Sequence, residues 1–323
     1  MIEKLRFFRK YLPLIATIGL FILMFALTSV AFPAFFSLQV FFNLLNDNMF
    51  VLISAIGMTF VIISGGIDLS VASVIALTAM VSAWLVEWLN VDPFLTMGLV
   101  LLMGTVLGAG MGSLIQYLKI PPFVATLVGM FMARGLCFVI STEYIVIEHP
   151  IYRAIANYRI YLGDGFIKPD VVIAFVALPI AIFLLHYTRF GRTVYAIGGD
   201  EQSALLMGLP VGRTKILIYT LNGFCSALAG VAYSFYKLSG HGLYAYGREL
   251  EVIASVVMGG TLLTGGVGYV LGTLFGVLIQ GTIPVIIMFQ GTLSSWWTKI
   301  VVGLITLFFI VMQRALGATN SRR

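Results

Sequence analysis

The chain has 323 residues, of which 60% are hydrophobic and 10% charged, with a net charge of +6. Soluble domains carry about 45–50% apolar and about 25% charged residues, so this chain cannot cover a water-facing surface and needs hydrocarbon as solvent. The positive balance does not point to nucleic acid, because the Lys and Arg residues stand at the ends of apolar runs, as in membrane proteins with positive cytoplasmic loops.

In chain order, Lys4, Arg6, Arg9 and Lys10 precede the uncharged stretch from Tyr11 to Phe32. A signal-peptide core is about 7–15 residues and a span about 20, so this stretch reads as an uncleaved first transmembrane helix. The stretch from Phe35 to Leu45, broken by Asn and Gln, reads as interfacial. Further spans are predicted at 49–64, 71–88, 94–118, 122–140, 170–188, 216–236, 252–264, 268–288 and 299–313. The fold class is thus an all-α polytopic membrane protein of about ten transmembrane helices, forming a single domain over 1–323.

Gly65-Gly66-Ile67-Asp68-Leu69-Ser70 joins two apolar runs. Glycine can end a helix in a left-handed conformation, and Asp68 can then cap the next helix in its charged form. A proton or ligand site is the alternative reading of Asp68. Pro121 and Pro122 open the fifth span, and within it Arg134 is the clearest intramembrane charge, expected to be structural and bonded to backbone carbonyls or a polar side chain. Cys137 and Cys225 lie in apolar runs without metal-type spacing and read as packing residues.

The loop 141–169 carries Arg153, Arg159 and Lys168, and Arg248 follows at the eighth span. Between the sixth and seventh spans, the segment 189–214 holds a short helix for which Asp200 is the N-cap, Glu201 a favourable first-turn charge and Gly208 the stop, followed by Pro210. A helix of about two turns is marginal in water, so it needs a docking partner. Glu201 and Ala204 are expected on the face that meets that partner, with Leu205 packed back on the membrane domain.

Two stretches repeat. Ile63–Ser70 resembles Val257–Thr264, which includes Gly259-Gly260, and Gly104–Gly108 resembles Gly272–Gly276, suggesting two diverged repeats. With the N-terminus inside, and with Arg314, Arg322 and Arg323 also counted there, Lys and Arg number twelve cytoplasmic against six outside. Both termini are therefore expected in the cytoplasm.

No GxxxxGK[ST] loop is present to hold ATP phosphates, there is no HExxH, and the three histidines are scattered. The helix centres are nearly free of the carboxylates that a proton-coupled carrier uses. Such a secondary sugar carrier is the alternative class of function.

Taken together, Gly65–Ser70, Ile120–Leu127 with Arg134-Gly135-Leu136, Gly191–Gly208 and Glu249–Gly276 resemble the ribose/galactose-type branch of the ABC importer permeases. The finer resemblance is to a galactofuranose importer permease. The sequence departs from the family pattern at Asp200 (usually Asn), Ala72 (usually Gly), Met111-Gly112 (usually Asn-Gly) and around Gly281-Thr282, where an Asn is missing.

The resemblance implies a monosaccharide permease of the bacterial inner membrane. It pairs with a second permease, a heterodimer being favoured, and works with an ABC ATPase subunit and a periplasmic sugar-binding protein. It implies no cofactor in this chain, ATP and Mg being held by the ATPase, no metal and no catalysis of its own. Gly199, Asp200, Glu201, Ser203, Ala204, Met207 and Gly208 are then the ATPase-coupling residues. Gly65, Gly66, Asp68, Ser70, Pro121, Pro122, Arg134, Gly259 and Gly260 are structural. Arg153, Arg159, Lys168 and Arg248 are the expected contacts to the binding protein.

Overall fold

A computed structural model describes residues 2–291, 294 and 296–318. Arg322 and Arg323 lie outside the described residues, as do the side chains of Lys4, Arg6, Arg9, Lys10 and Arg314.

Helix α1 (Ile2–Ala31) leads through a 3-10 turn at Pro33–Phe35 into α2 (Leu38–Ile63). The Ser37 hydroxyl accepts from the Val40 amide at 3.2 Å and caps α2. The second span therefore starts well before residue 49. Most of the stretch expected at the interface is the first part of α2, where Phe42, Leu44 and Leu45 are buried in the bundle.

Helix α3 (Val71–Ala83) continues as a π-helical turn, Trp84–Trp88. Asp92 caps α4 (Pro93–Tyr117), accepting from the Phe94 and Leu95 amides at 2.9 and 3.1 Å. Helix α5 (Pro122–Ile140) begins with a proline at its first position, where the missing N–H costs no intrahelical bond.

The following loop is ordered. It contains β1 (Ile145–Val146), α6 (Pro150–Asn157) and a hairpin of β2 (Ile160–Leu162) and β3 (Gly165–Ile167). Then come α7 (Pro169–Tyr187), α8 (Arg189–Gly199), α9 (Glu201–Leu206), α10 (Val211–Lys237), β4 (Ser239–Gly240), α11 (Arg248–Met258), α12 (Val270–Gln290) and α13 (Trp297–Ala318). β4 pairs antiparallel with β1, Gly240 opposite Ile145.

Among the described residues, eight helices are long and apolar enough to cross a membrane, and α13 contributes a shorter apolar stretch, Trp297–Val311. Helix α11 is the exception. Its 11 residues rise about 16 Å, half of the ~30 Å hydrocarbon core. The expected eighth span at 252–264 is thus a half-helix. It ends at Met258 because Gly259-Gly260 turns the chain, Gly260 adopting φ +91°.

α2 is the most deeply buried span, packed among α10, α12, α7 and α11. The close helix contacts use glycine in place of side chains, as in membrane bundles generally. Gly104 and Gly108 bring α4 against the α10 backbone at Tyr219 and Gly223, and Gly272 and Gly276 bring α12 against α11 at Gly259 and Ser255. The repeated stretches therefore do similar jobs. In the first half, all of α3 lies between the Gly-Gly turn and the paired glycines; in the second, α12 follows its turn directly.

Candidate functional site

The Gly65-Gly66 turn meets a second glycine pair, Gly265-Gly266 of the α11–α12 turn, at the end of the bundle that carries α8 and α9. Gly65, at φ +80°, ends α2 there. The amide of Gly266, on the α11–α12 turn, donates to the Ile63 carbonyl at the end of α2 at 2.8 Å. Gly198 of α8 lies directly against this bond. A Cβ at Gly198 would fall within 2.9 Å of the Ile63 carbonyl carbon and overlap the Gly266 amide. The Tyr195 hydroxyl donates to the Gly268 carbonyl at 2.6 Å, and Phe190 stacks on Phe60, rings 5.9 Å apart.

Helix α8 thus rests on the terminus of α2 and on the α11–α12 turn together, largely through backbone. This helix was missed in the sequence, although the buried set Thr193, Val194 and Ile197 has helical spacing. Gly198 was not singled out.

Helix α9 follows after one residue. Asp200 caps it, accepting from the Ser203 amide at 2.6 Å, and the Ser203 side chain together with this amide holds the exposed carboxylate below its usual range. Gly199 and Ser203 are exposed beside it. Gly208, at φ +74°, follows the last turn.

The predicted facing of α9 is reversed. Ala204 is 0% exposed and packs with Ile197 and Val211, whereas Leu205, Leu206 (89% exposed) and Met207 point outward. The cause is the return of the chain through Leu209 and Pro210 into α10, which leaves room for only a methyl on the inner side. Glu201 remains partly exposed and pairs with Lys215 at 2.6 Å.

Asp68 does not cap α3. Ser70 occupies the N-cap position and its side chain makes no capping bond. Asp68 is buried instead. Its Oδ1 accepts from the Ser70 amide and hydroxyl at 2.8 and 2.6 Å, and its Oδ2 accepts from the Asn222 amide group of α10 at 2.7 Å. The turn folds inward beneath α10, so the carboxyl finds its partner across the bundle. Burial pushes it above the usual carboxylate range despite these bonds, and the bonds to Ser70 and Asn222 stand in place of the expected cap. Gly66 lies against the Tyr219 hydroxyl, and Pro121 and Pro122 set the start of α5, whose Thr126 hydroxyl accepts from the Leu69 amide at 3.2 Å.

Arg134 donates through one guanidinium nitrogen to the carbonyls of Gly242 and Tyr244, at 2.6 and 2.7 Å. These carbonyls belong to the non-helical segment between α10 and α11. Irregular backbone at membrane depth is tolerated where protein satisfies it, and Arg134 performs that service.

The four cations expected to face a partner are dispersed and mostly engaged. Arg153 pairs with Glu148 at 3.2 Å. Arg159 lies over the Phe166 ring at 4.5 Å and Lys168 over Tyr236 at 5.3 Å. Arg248 pairs with Glu251 at 2.9 Å and belongs to the wall of a cavity, not to the loop surface, because it sits at the start of the half-helix.

Residues 40–310 match the family described as branched-chain amino acid transport system / permease component. The inner membrane ABC transporter permease protein YjfF of Escherichia coli is 50% identical over 309 residues, covering 95% of this chain and 93% of that protein. The fructose import permease protein FruG of Bifidobacterium longum is 39% identical over 97% of this chain and 93% of its own length. The ribose import permease protein RbsC of Bacillus subtilis is 40% identical over 93% and 92%. No solved structure matches the chain.

Proposed function

This chain belongs to the family of branched-chain amino acid transport system permease components, and on that premise we propose that it is the membrane-spanning subunit of an ATP-driven monosaccharide importer. The observation that carries the cargo class is the end-to-end likeness to permeases named for fructose and ribose import. Galactofuranose is the specific cargo favoured by the sequence. The chain performs no catalysis of its own: ATP and Mg reside on a separate ATPase subunit, and a periplasmic binding protein delivers the sugar to a pair of permeases, two different chains in the favoured arrangement.

In this reading the α9 end is cytoplasmic, as are both termini, and the outward row Leu205, Leu206 and Met207 is the docking face for the ATPase. An exposed apolar row of that kind on a six-residue helix is stable only when covered. The buried Ala204 anchors the helix, and α8 passes its displacement to the two Gly-Gly turns. Of the proposed outer contacts, Arg153, Arg159 and Lys168 stand on the surface for the binding protein, where rim charges set association rate and salt dependence.

The test is purification from intact membranes followed by reconstitution. Co-purification of an ATPase, and sugar uptake that requires ATP with the proton gradient collapsed, is the expected result. Uptake driven by the gradient without ATP would establish a secondary carrier instead.

A further inference from the structure

Resting on the importer reading, we propose that the cavity between α2, α11, α12 and α13 is a transient binding site for the uncharged sugar on its way through this subunit. The cavity measures about 380 Å³, within the range of small-ligand sites (about 300–1,000 Å³). Its polar wall comprises Asn48 of α2, Arg248, Glu251 and Ser255 of α11, and Gln280 of α12, with Trp296 beside the start of α13. Side chains of this kind inside a membrane bundle are costly unless water or a ligand uses them.

Three features fit a neutral polyhydroxyl ligand. Arg248 and Glu251, the two charges that α11 brings to the wall, pair across 2.9 Å, so together they present donors and acceptors with no net charge of their own. The Gln280 amide has its oxygen engaged by the Ser255 hydroxyl, which aims a fixed donor–acceptor pair, and Asn48 adds a second amide. Trp296, largely exposed, offers a flat apolar face to the C–H face of a sugar ring, with Lys299 5.0 Å from its centre. The position is also physically apt: discontinuous helices bring polar groups to membrane depth without unsatisfied backbone, and here Arg134 satisfies the carbonyls that the break exposes.

The experiment uses the assembled importer in proteoliposomes, with D-ribose, D-fructose, L-arabinose and D-galactose as labelled probes. Uptake and binding-protein-stimulated ATP hydrolysis are read on the same vesicles. Gln280→Leu preserves volume, and the Ser255 hydroxyl released from Gln280 can donate to the Glu251 carbonyl, 2.9 Å away. Expected is a tenfold or greater loss of uptake per ATP hydrolysed, with stimulated hydrolysis within twofold of wild type. In a second arm, Thr298→Cys at the cavity wall is labelled with a charged thiol reagent, both native cysteines being buried, and transported sugar is expected to slow labelling at least threefold. The proposal is overturned if Gln280→Leu leaves uptake unchanged or lowers uptake and hydrolysis by the same factor, or if sugar does not slow labelling. Failure of the wild-type importer to take up sugar with ATP would instead sink the importer reading.

Discussion

Replacing Gly198 by alanine tests the joint between α8 and the two Gly-Gly turns. The added methyl cannot fit between the Ile63 carbonyl and the Gly266 amide, so their 2.8 Å bond must open or α8 must lift. Overpacking costs about 1–3 kcal/mol, and leaving a buried amide or carbonyl unpaired costs about 1–3 kcal/mol more. Alanine returns roughly 0.5–1 kcal/mol as a better helix residue. The middle of the resulting range is about 3 kcal/mol, a factor of roughly 100 in the ratio of closed to open joint. Gly199→Ala is the internal control, because an added Cβ there meets nothing within 4 Å. In proteoliposomes with the ATPase present, Gly198→Ala is expected to abolish stimulation of ATP turnover by loaded binding protein. Gly199→Ala is expected to leave it intact. Equal behaviour of the two variants would refute the claim that force passes through this backbone contact.

Leu206→Asp, at a fully outward position, is expected to change stability by less than about 0.5 kcal/mol yet to weaken ATPase capture by about 2 kcal/mol or more, read by pull-down and by melting of the free permease. Because burial raises the Asp68 carboxyl, the native state binds its proton more tightly than the unfolded chain, whose carboxyl titrates at about pH 4. The associated stability is present at low pH and lost as pH rises. Asp68→Asn keeps an acceptor for Ser70 and can pair its amide with the unpartnered Asn222 oxygen. Its melting temperature is therefore expected to fall less than that of the wild type between about pH 5 and about pH 8, and parallel curves would count against a buried neutral carboxyl. Arg134→Met leaves two carbonyls unpaired at about 1–3 kcal/mol each, whereas Arg134→Lys retains a donor. The expected order of melting in detergent is wild type, Lys, then Met, and an unchanged Met variant would dismiss the brace.

The long spans and the end of α2 at Gly65-Gly66 were legible because each is a local signal: an apolar run of sufficient length, or two glycines at its end. The α9 helix was legible for the same reason, through Asp200 and Gly208. What escaped depends on chain return. The inward side of α9 is set by Val211 and Ile197, so Ala204 and Leu205 could not be told apart by propensity. The partner of Asp68 is Asn222, 154 residues away. The shortness of α11 was hidden because its apolar composition continues past the turn, and only the positive φ at Gly260 stops the helix. The cavity wall draws single polar residues from separate helices, and no one of them stands out in its own run.

The Arg134 brace also imposes an order on biogenesis. Its acceptors lie 108 and 110 residues further along the chain, which at about 5–20 residues per second is roughly 5–20 s of synthesis. During that interval α5 leaves the ribosome with a guanidinium that has no carbonyl to bind. The bonds that finally seat Arg134 must await the α10–α11 segment, so the packing of the first half is completed only when the second half arrives. Despite their repeated motifs, the halves are one folding unit, and the brace is the bond that closes it.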